Sequence, residues 1–136
     1  IVVLNDGEIR MLAGDENLVR AAHIVREEMG GGILIVKRGE HGVLALHPEG
    51  MIALPAYPTA TVVDPTGCGD TFAGTLASLL AAGDGDIGRN ELRHALLHAT
   101  VTASFTLMSF GVGAIANLDP EQYQERLDSF KHIIGG

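Results

Sequence analysis

The chain is short of positive charge. Nine Lys and Arg stand against 17 Asp and Glu over 136 residues, a formal net charge of −8. No basic run offsets that balance, so neither nucleic acid nor an anionic membrane surface is an expected partner. Cysteine is nearly absent: Cys68 stands alone. It cannot form an internal disulfide, which suits a reducing, cytoplasmic compartment. No apolar stretch approaches the ~18 uninterrupted residues of a membrane-spanning helix. What is present is a 46% apolar composition, enough to bury the core of one ordinary domain.

The first residue is Ile1, and "IVVLN" reads as a buried strand already under way. The expectation is a chain that starts inside a fold, so the lack of a signal peptide decides nothing. Asn5 would cap a short helix after the strand. "DENLVRAAHIVREEM" (15–29) reads as a helix capped by Asp15 and ended by Gly30 to Gly32, with Leu18, Ala22, Val25 and Met29 on one face. "ILIV" (33–36) suits a strand covered on both sides. "GVLALHPEGMIALP" (42–55) reads as two short strands joined at His47 to Gly50. Further helices are expected from about Cys68 to Ala82, over 90–108 and over 119–134. The last has Asp119 as cap, Pro120 at its first position, and Tyr123, Leu127, Phe130 and Ile134 on one face. No repeat, low-complexity segment or domain linker is evident. Strands alternating with helices predict an α/β fold with a largely parallel sheet.

"VVDPTGCGDTFAG" (62–74) packs three glycines and two aspartates around one helix start. The first turn of a helix offers free backbone N–H groups and the positive end of its dipole. Gly67, Cys68 and Gly69 carry little or no side chain, so an anion can approach that backbone. Asp70, at the edge, could accept a proton from a hydroxyl, which outlines a kinase site. The alternative is a tight structural turn, with Asp70 merely complementing the dipole. No Gly-Lys-Ser/Thr follows, so this is not a Walker A loop.

The longer string "DPTGCGDTFAG" strongly resembles a signature of the PfkB family of carbohydrate kinases, which have the ribokinase-like fold. "NDGE" (5–8) matches that family's Asn-x-x-Glu. "VKRGEHGVLAL" (36–46) resembles the strand and turn bordering the nucleotide, and "HALLHATVTASF" (94–105) the helix flanking the adenine pocket. The resemblance spans residues 1 to about 134, with several motifs in the expected order. It implies a three-layer ribokinase-like α/β architecture, a sheet flanked by helices. The chain would be the C-terminal, nucleotide-binding part of a single kinase domain, lacking the N-terminal substrate and lid half. It implies ATP-dependent phosphorylation of a sugar, sugar phosphate or nucleoside hydroxyl, with ATP and Mg2+ as cofactors. A homodimer of the full-length protein is compatible with it.

Residue by residue, the resemblance assigns Asp70 as catalytic base and Gly67, Cys68 and Gly69 as the anion hole, Cys68 standing where alanine is usual. Asn5 and Glu8 match the magnesium-linked pair, acting mostly through water. Gly39 matches a nucleotide-contacting glycine. Lys37 replaces a threonine that touches the nucleotide in many members, and a lysine could reach a phosphate instead. Asp64 matches the position that helps ligate K+ in members activated by monovalent cations.

Other patterns compete with these assignments. Asn5 and Glu8 also make a capping box. His98 is placed for an edge contact with the base, the alternative being an ordinary core or surface histidine. His41, His94 and His98 lack a metal-ligand spacing with cysteine or acid support. "GVGAIA" (111–116) fits a dinucleotide fingerprint, but no ribose-binding acid follows, and a glycine-rich loop closing the nucleotide site is the better reading. "DGD" (84–86) reads as a solvated turn. A function of another class stays open, a nucleotide- or anion-binding half-domain that needs a partner polypeptide. With no substrate half, the chain alone is expected to be inactive.

Overall fold

The computed structural model describes residues 1–58, 68–81, 86–107 and 119–135. Two compact units make up the chain, Ile1–Pro55 and Ala56–Gly136. The first holds β1 (Val2–Asn5), α1 (Asp6–Ala13), α2 (Leu18–Glu28), β2 (Leu34–Lys37), a 3-10 turn (Gly39–His41), β3 (Val43–His47) and β4 (Gly50–Leu54). The strands form one sheet in the order β1-β2-β3-β4. β1 runs parallel to β2, from Val2 opposite Leu34 to Asn5 opposite Lys37. The other two pairings are antiparallel.

The sheet is therefore mixed, not largely parallel as the alternation predicts. Connection length explains the difference. Residues 6–33 carry α1 and α2 and are long enough for a parallel crossover. The links from β2 to β3 and from β3 to β4 span only a few residues, which permits antiparallel return alone.

Alternation along the strands sorts side chains onto two faces. Leu34, Val36, Leu44 and Leu46 pack with Ile9, Ala21, Ala22 and Val25 of the two helices, and Val2 and Leu4 join them. The opposite face of β2 and its neighbours is also buried, through Ile35, Val43, Ala45, Ile52 and Leu54. The continuous apolar run of β2 reflects this double cover. Ile9 is the buried residue of α1. Burial of such a side chain contributes ~1.5–3 kcal/mol, which holds α1, and hence its first turn, against the sheet.

The cap of α2 differs from expectation. Asn17, not Asp15, is the N-cap, and its side chain accepts from the Arg20 N–H at 3.0 Å. Asp15 instead accepts from the Asn17 N–H at 2.9 Å and pairs with the Arg20 guanidinium. That hydrogen-bonded partner holds the Asp15 carboxyl below the usual carboxylate range. Both residues are good cap formers, and the one two positions later leaves Asp15 free to bridge back from the preceding turn.

The second unit holds α3 (Cys68–Ala81), α4 (Arg89–Leu107) and α5 (Pro120–Ile133). α4 packs against both α3 and α5. Leu92, Leu96 and Val101 of α4 are fully buried, as is Phe130 of α5. The hydroxyls of Thr100 and Thr102 donate back to the carbonyls of Leu96 and His98, each at 2.8 Å, so these buried polar groups are satisfied. Asp119 caps α5 and Pro120 sits in its first turn, as the sequence predicts. Arg126 lies 3.7 Å from the Phe105 ring centroid and 5.2 Å from that of Tyr57, and donates to Ser104 Oγ at 3.1 Å. This joins α5 to α4 through cation–π contact. Among the described residues, no helix is long and apolar enough to cross a membrane.

One glycine is required by space as well as by conformation. Gly42 has φ +92°, and a Cβ there would fall 2.1 Å from the Leu54 carbonyl oxygen. Gly39 has φ +58° but open space around it. Gly42→Ala is expected to cost ~3 kcal/mol or more, and Gly39→Ala ~1–2 kcal/mol. Denaturant unfolding of the two variants checks the order, and equal losses would contradict it.

Candidate functional site

In open α/β sheets, ligands bind beyond the carboxyl ends of parallel strands. In the first unit those ends are Asn5 and Lys37, register partners across the β1–β2 pair. Glu8 follows Asn5 by one turn of α1, and Gly39 follows Lys37 by two residues. The structure thus gathers Asn5, Glu8, Lys37 and Gly39 at one end of this sheet. The side chain of Lys37 makes no ion pair among the described residues.

Asn5 and Glu8 form a complete capping box. Asn5 Oδ1 accepts from the Glu8 N–H at 2.8 Å, and Glu8 Oε1 accepts from the Asn5 N–H at 3.1 Å. The sequence pattern Asn-x-x-Glu alone predicts this. Both residues are exposed. Asp6, between them, pairs with Arg10 at 3.3 Å. Gly39 opens the 3-10 turn, which closes through the His41 N–H to the Arg38 carbonyl at 3.1 Å and the Arg38 N–H to the Gly42 carbonyl at 2.8 Å. A Cβ on Gly39 would meet nothing within 4 Å, so the backbone of the turn is open to approach on that side.

In the second unit, Cys68, Gly69 and Asp70 form the first turn of α3. Gly67 and Asp64 lie outside the described residues, as do the side chains of Cys68 and Asp70 and the segment "GVGAIA". Of "DGD", only Asp86 is described, exposed in a bend. His98 stands on α4, half-buried. Its Nδ1 lies 2.6 Å from the Tyr123 hydroxyl of α5. The two rings stack with centroids 5.8 Å apart, and the His94 ring is 4.3 Å from His98 on its own helix. Burial, with His94 and Lys131 nearby, pushes the His98 pKa below the ordinary histidine range, which favours neutral imidazole. Burial raises the Tyr123 phenol. The sequence marks Tyr123 only as part of an apolar helix face. Its contact with His98 spans 25 positions, and no local pattern reports it.

Among the described residues, no group of three or more His, Cys, Asp or Glu could hold a metal ion. The donor set at Asn5 and Glu8 is one exposed carboxylate and one amide. That is too little for an all-protein cage, but it suits Mg2+, which keeps several of its waters.

The solved structures that this chain matches show the fold to be ribokinase-like. The chain is similar to aminoimidazole riboside kinase from Salmonella enterica, with a TM-score of 0.75 and 27% identity over 93% of this chain and 41% of that one. It is also similar to a ribokinase from Thermotoga maritima, with a TM-score of 0.68 and 25% identity over 95% and 41% of the two chains. A fructokinase from Vibrio cholerae O395 shares the fold at a TM-score of 0.76 with 19% identity, over 93% of this chain and 40% of that one. The model of the pfkB family carbohydrate kinases matches residues 1–119, and the chain belongs to that family. Its curated relatives include the bifunctional protein HldE of Pseudomonas savastanoi pv. phaseolicola, 34% identical over 121 residues, which are 85% of this chain and 24% of the relative. HldE of Ectopseudomonas mendocina is 37% identical over 105 residues, 76% and 21% of the two chains. The chain spans about a quarter of the length of these relatives.

The capping box sets a stability expectation independent of any chemistry. Asn5→Ala is expected to lose ~1 kcal/mol, as removal of an N-cap does, read as a lower denaturant midpoint. An unchanged midpoint would mean that the box contributes nothing to α1.

Proposed function

We propose that the protein containing this chain transfers the γ-phosphoryl group of ATP to a hydroxyl of a small molecule, a sugar, sugar phosphate or nucleoside. Membership of the family supports the reaction class. The names of the solved relatives, a riboside kinase, a ribokinase and a fructokinase, support a small polyhydroxylated substrate. The chain is then one portion of a single kinase domain, acting in the cytoplasm, with a homodimer compatible with the full-length protein.

The observation that carries this reading furthest is the start of α3. The helix begins at Cys68, directly after Gly67, so the N–H groups of Cys68, Gly69 and Asp70 belong to the first turn, where donors have no intrahelical acceptor. In this reading Gly67, Cys68 and Gly69 form the anion hole, and their backbone donors take up charge as it develops on the transferred group. Asp70 takes the proton of the substrate hydroxyl. The oxygen–phosphorus bond forms as the bond from the γ-phosphorus to the β-phosphate oxygen breaks, and ADP leaves. Asn5 and Glu8 would hold Mg2+, largely through water, and the ion supplies positive charge that screens the phosphate oxygens. Lys37 adds a point charge for phosphate, and the open turn at Gly39 lets the nucleotide approach backbone. His98 contributes a contact to the base. Asp64 helps ligate a monovalent cation, K+.

In the intact enzyme, Asp70→Asn is expected to lower kcat by ~10²–10⁴-fold with little change in KM for ATP, as loss of a general base does. Near-wild-type turnover would refute the base assignment. Glu8→Gln separates the two roles of that residue. Glutamine still accepts from the Asn5 N–H, so the unfolding midpoint should hold, while the Mg2+ concentration for half-maximal activity rises. An unchanged Mg2+ requirement would leave Glu8 a cap alone. Equal activity in K+ and in a bulky organic cation would remove Asp64 from the site.

A further inference from the structure

We propose that Tyr123 is a positioning residue for nucleotide binding: its hydroxyl holds His98 in the tautomer whose Nε2 carries the proton and faces the base as a donor. This rests on the reading that His98 contacts the nucleotide. The helix that bears Tyr123, Pro120–Ile133, lies beyond residues 1–119, the span matched by the family model.

The geometry is specific. Tyr123 Oη and His98 Nδ1 are 2.6 Å apart, a short, strong hydrogen bond. The hydroxyl also lies 3.5 Å from the His98 carbonyl oxygen and bonds the Thr102 side chain, whose own hydroxyl donates to that carbonyl; of the two distances, that to Nδ1 is the shorter. The two rings stack, and His94 closes on His98 from its own helix, which leaves the imidazole little freedom to turn. Nε2 has no hydrogen-bond partner among the described residues.

Donor and acceptor strengths favour one placement of the proton. A phenol is a better donor than a neutral imidazole N–H, and an imidazole nitrogen is a better acceptor than a phenol oxygen. In the proposed arrangement the bond runs from Tyr123 O–H to Nδ1, which places the ring proton on Nε2. That nitrogen then suits an acceptor on the edge of a nucleobase, such as a ring nitrogen. Without the hydroxyl, both tautomers are populated, and part of the protein presents the base with an acceptor instead of a donor.

The test uses the intact enzyme with Tyr123→Phe, which keeps the ring and removes the hydroxyl. The expected result is a KM for ATP raised about five-fold, the scale of one neutral hydrogen bond, with kcat within two-fold of wild type. In parallel, 15N NMR of labelled histidine should report His98 of the wild type protonated at Nε2 and unprotonated at Nδ1, and a mixture in Tyr123→Phe. A matching KM in wild type and variant, or a wild-type His98 protonated at Nδ1, would overturn the inference. His98→Ala separates this failure from that of the reading beneath it. If His98→Ala raises the KM for ATP and Tyr123→Phe does not, His98 binds nucleotide without help from Tyr123. If neither does, His98 makes no contact with the nucleotide and the inference falls with it. Unfolding midpoints of the variants within two degrees of wild type assign the KM changes to the site.

Discussion

The parallel pairing of β1 with β2 is the constraint on which the first unit depends. It sets Leu34 and Val36 on the face that packs with Ile9, Ala22 and Val25, and joins Val2 and Leu4 to them. A slip of one residue would turn those side chains to the opposite face. Each fully buried aliphatic side chain contributes on the order of 1.5–3 kcal/mol, so the core holds the register strongly. The same register ends with Asn5 beside Lys37. Apolar burial on one face thus fixes the position of polar residues at the end of the strands, and Ile9 holds α1 so that Glu8 stays next to Asn5. Stability and site geometry here share one cause.

The second unit reaches a comparable result by different means. Its long helix, α4, is apolar through most of its circumference, and Thr100 and Thr102 close their hydroxyls on its own carbonyls. Such a helix can be buried without stranded polar groups. His98 is a polar group at the contact with α5, and the Tyr123 hydroxyl answers it. Arg126, close by on the same helix, is partly desolvated, and burial pulls its pKa below the usual guanidinium range. Its stack on Phe105 and its bond to Ser104 compensate. A half-buried polar cluster of this kind resists rearrangement, because loss of any one partner leaves another unsatisfied.

Much of the first unit was legible in the sequence, because its signals are local. Asn5 and Glu8 three residues apart predict the capping box, three consecutive glycines stop α2, and the unbroken "ILIV" predicts a strand buried on both faces. Two features were not. The two strands joined at His47 to Gly50 were legible, but the antiparallel return of β3 on β2 was not, because the link around Gly39–His41 is too short for a crossover and outweighs the general rhythm of strands and helices. The cap of α2 fell on Asn17 because Asp15 and Asn17 have nearly equal propensity and only their partners distinguish them. At the site, Lys37 and Gly39 could be named from their motif, but their nearness to Asn5 follows from strand register, which is a tertiary property. Tyr123 was hidden by its spacing with Leu127, which makes it look like part of a plain apolar stripe.

The central claim is phosphoryl transfer from ATP to an alcohol. It is tested most directly by incubating the intact protein with Mg2+, ATP and a panel of sugars, sugar phosphates and nucleosides, and following phosphorus by 31P NMR. The account predicts a new phosphate-monoester signal from at least one acceptor, growing in step with ADP. ATP left intact with every acceptor, or converted to ADP with free inorganic phosphate as the sole other product, would contradict it.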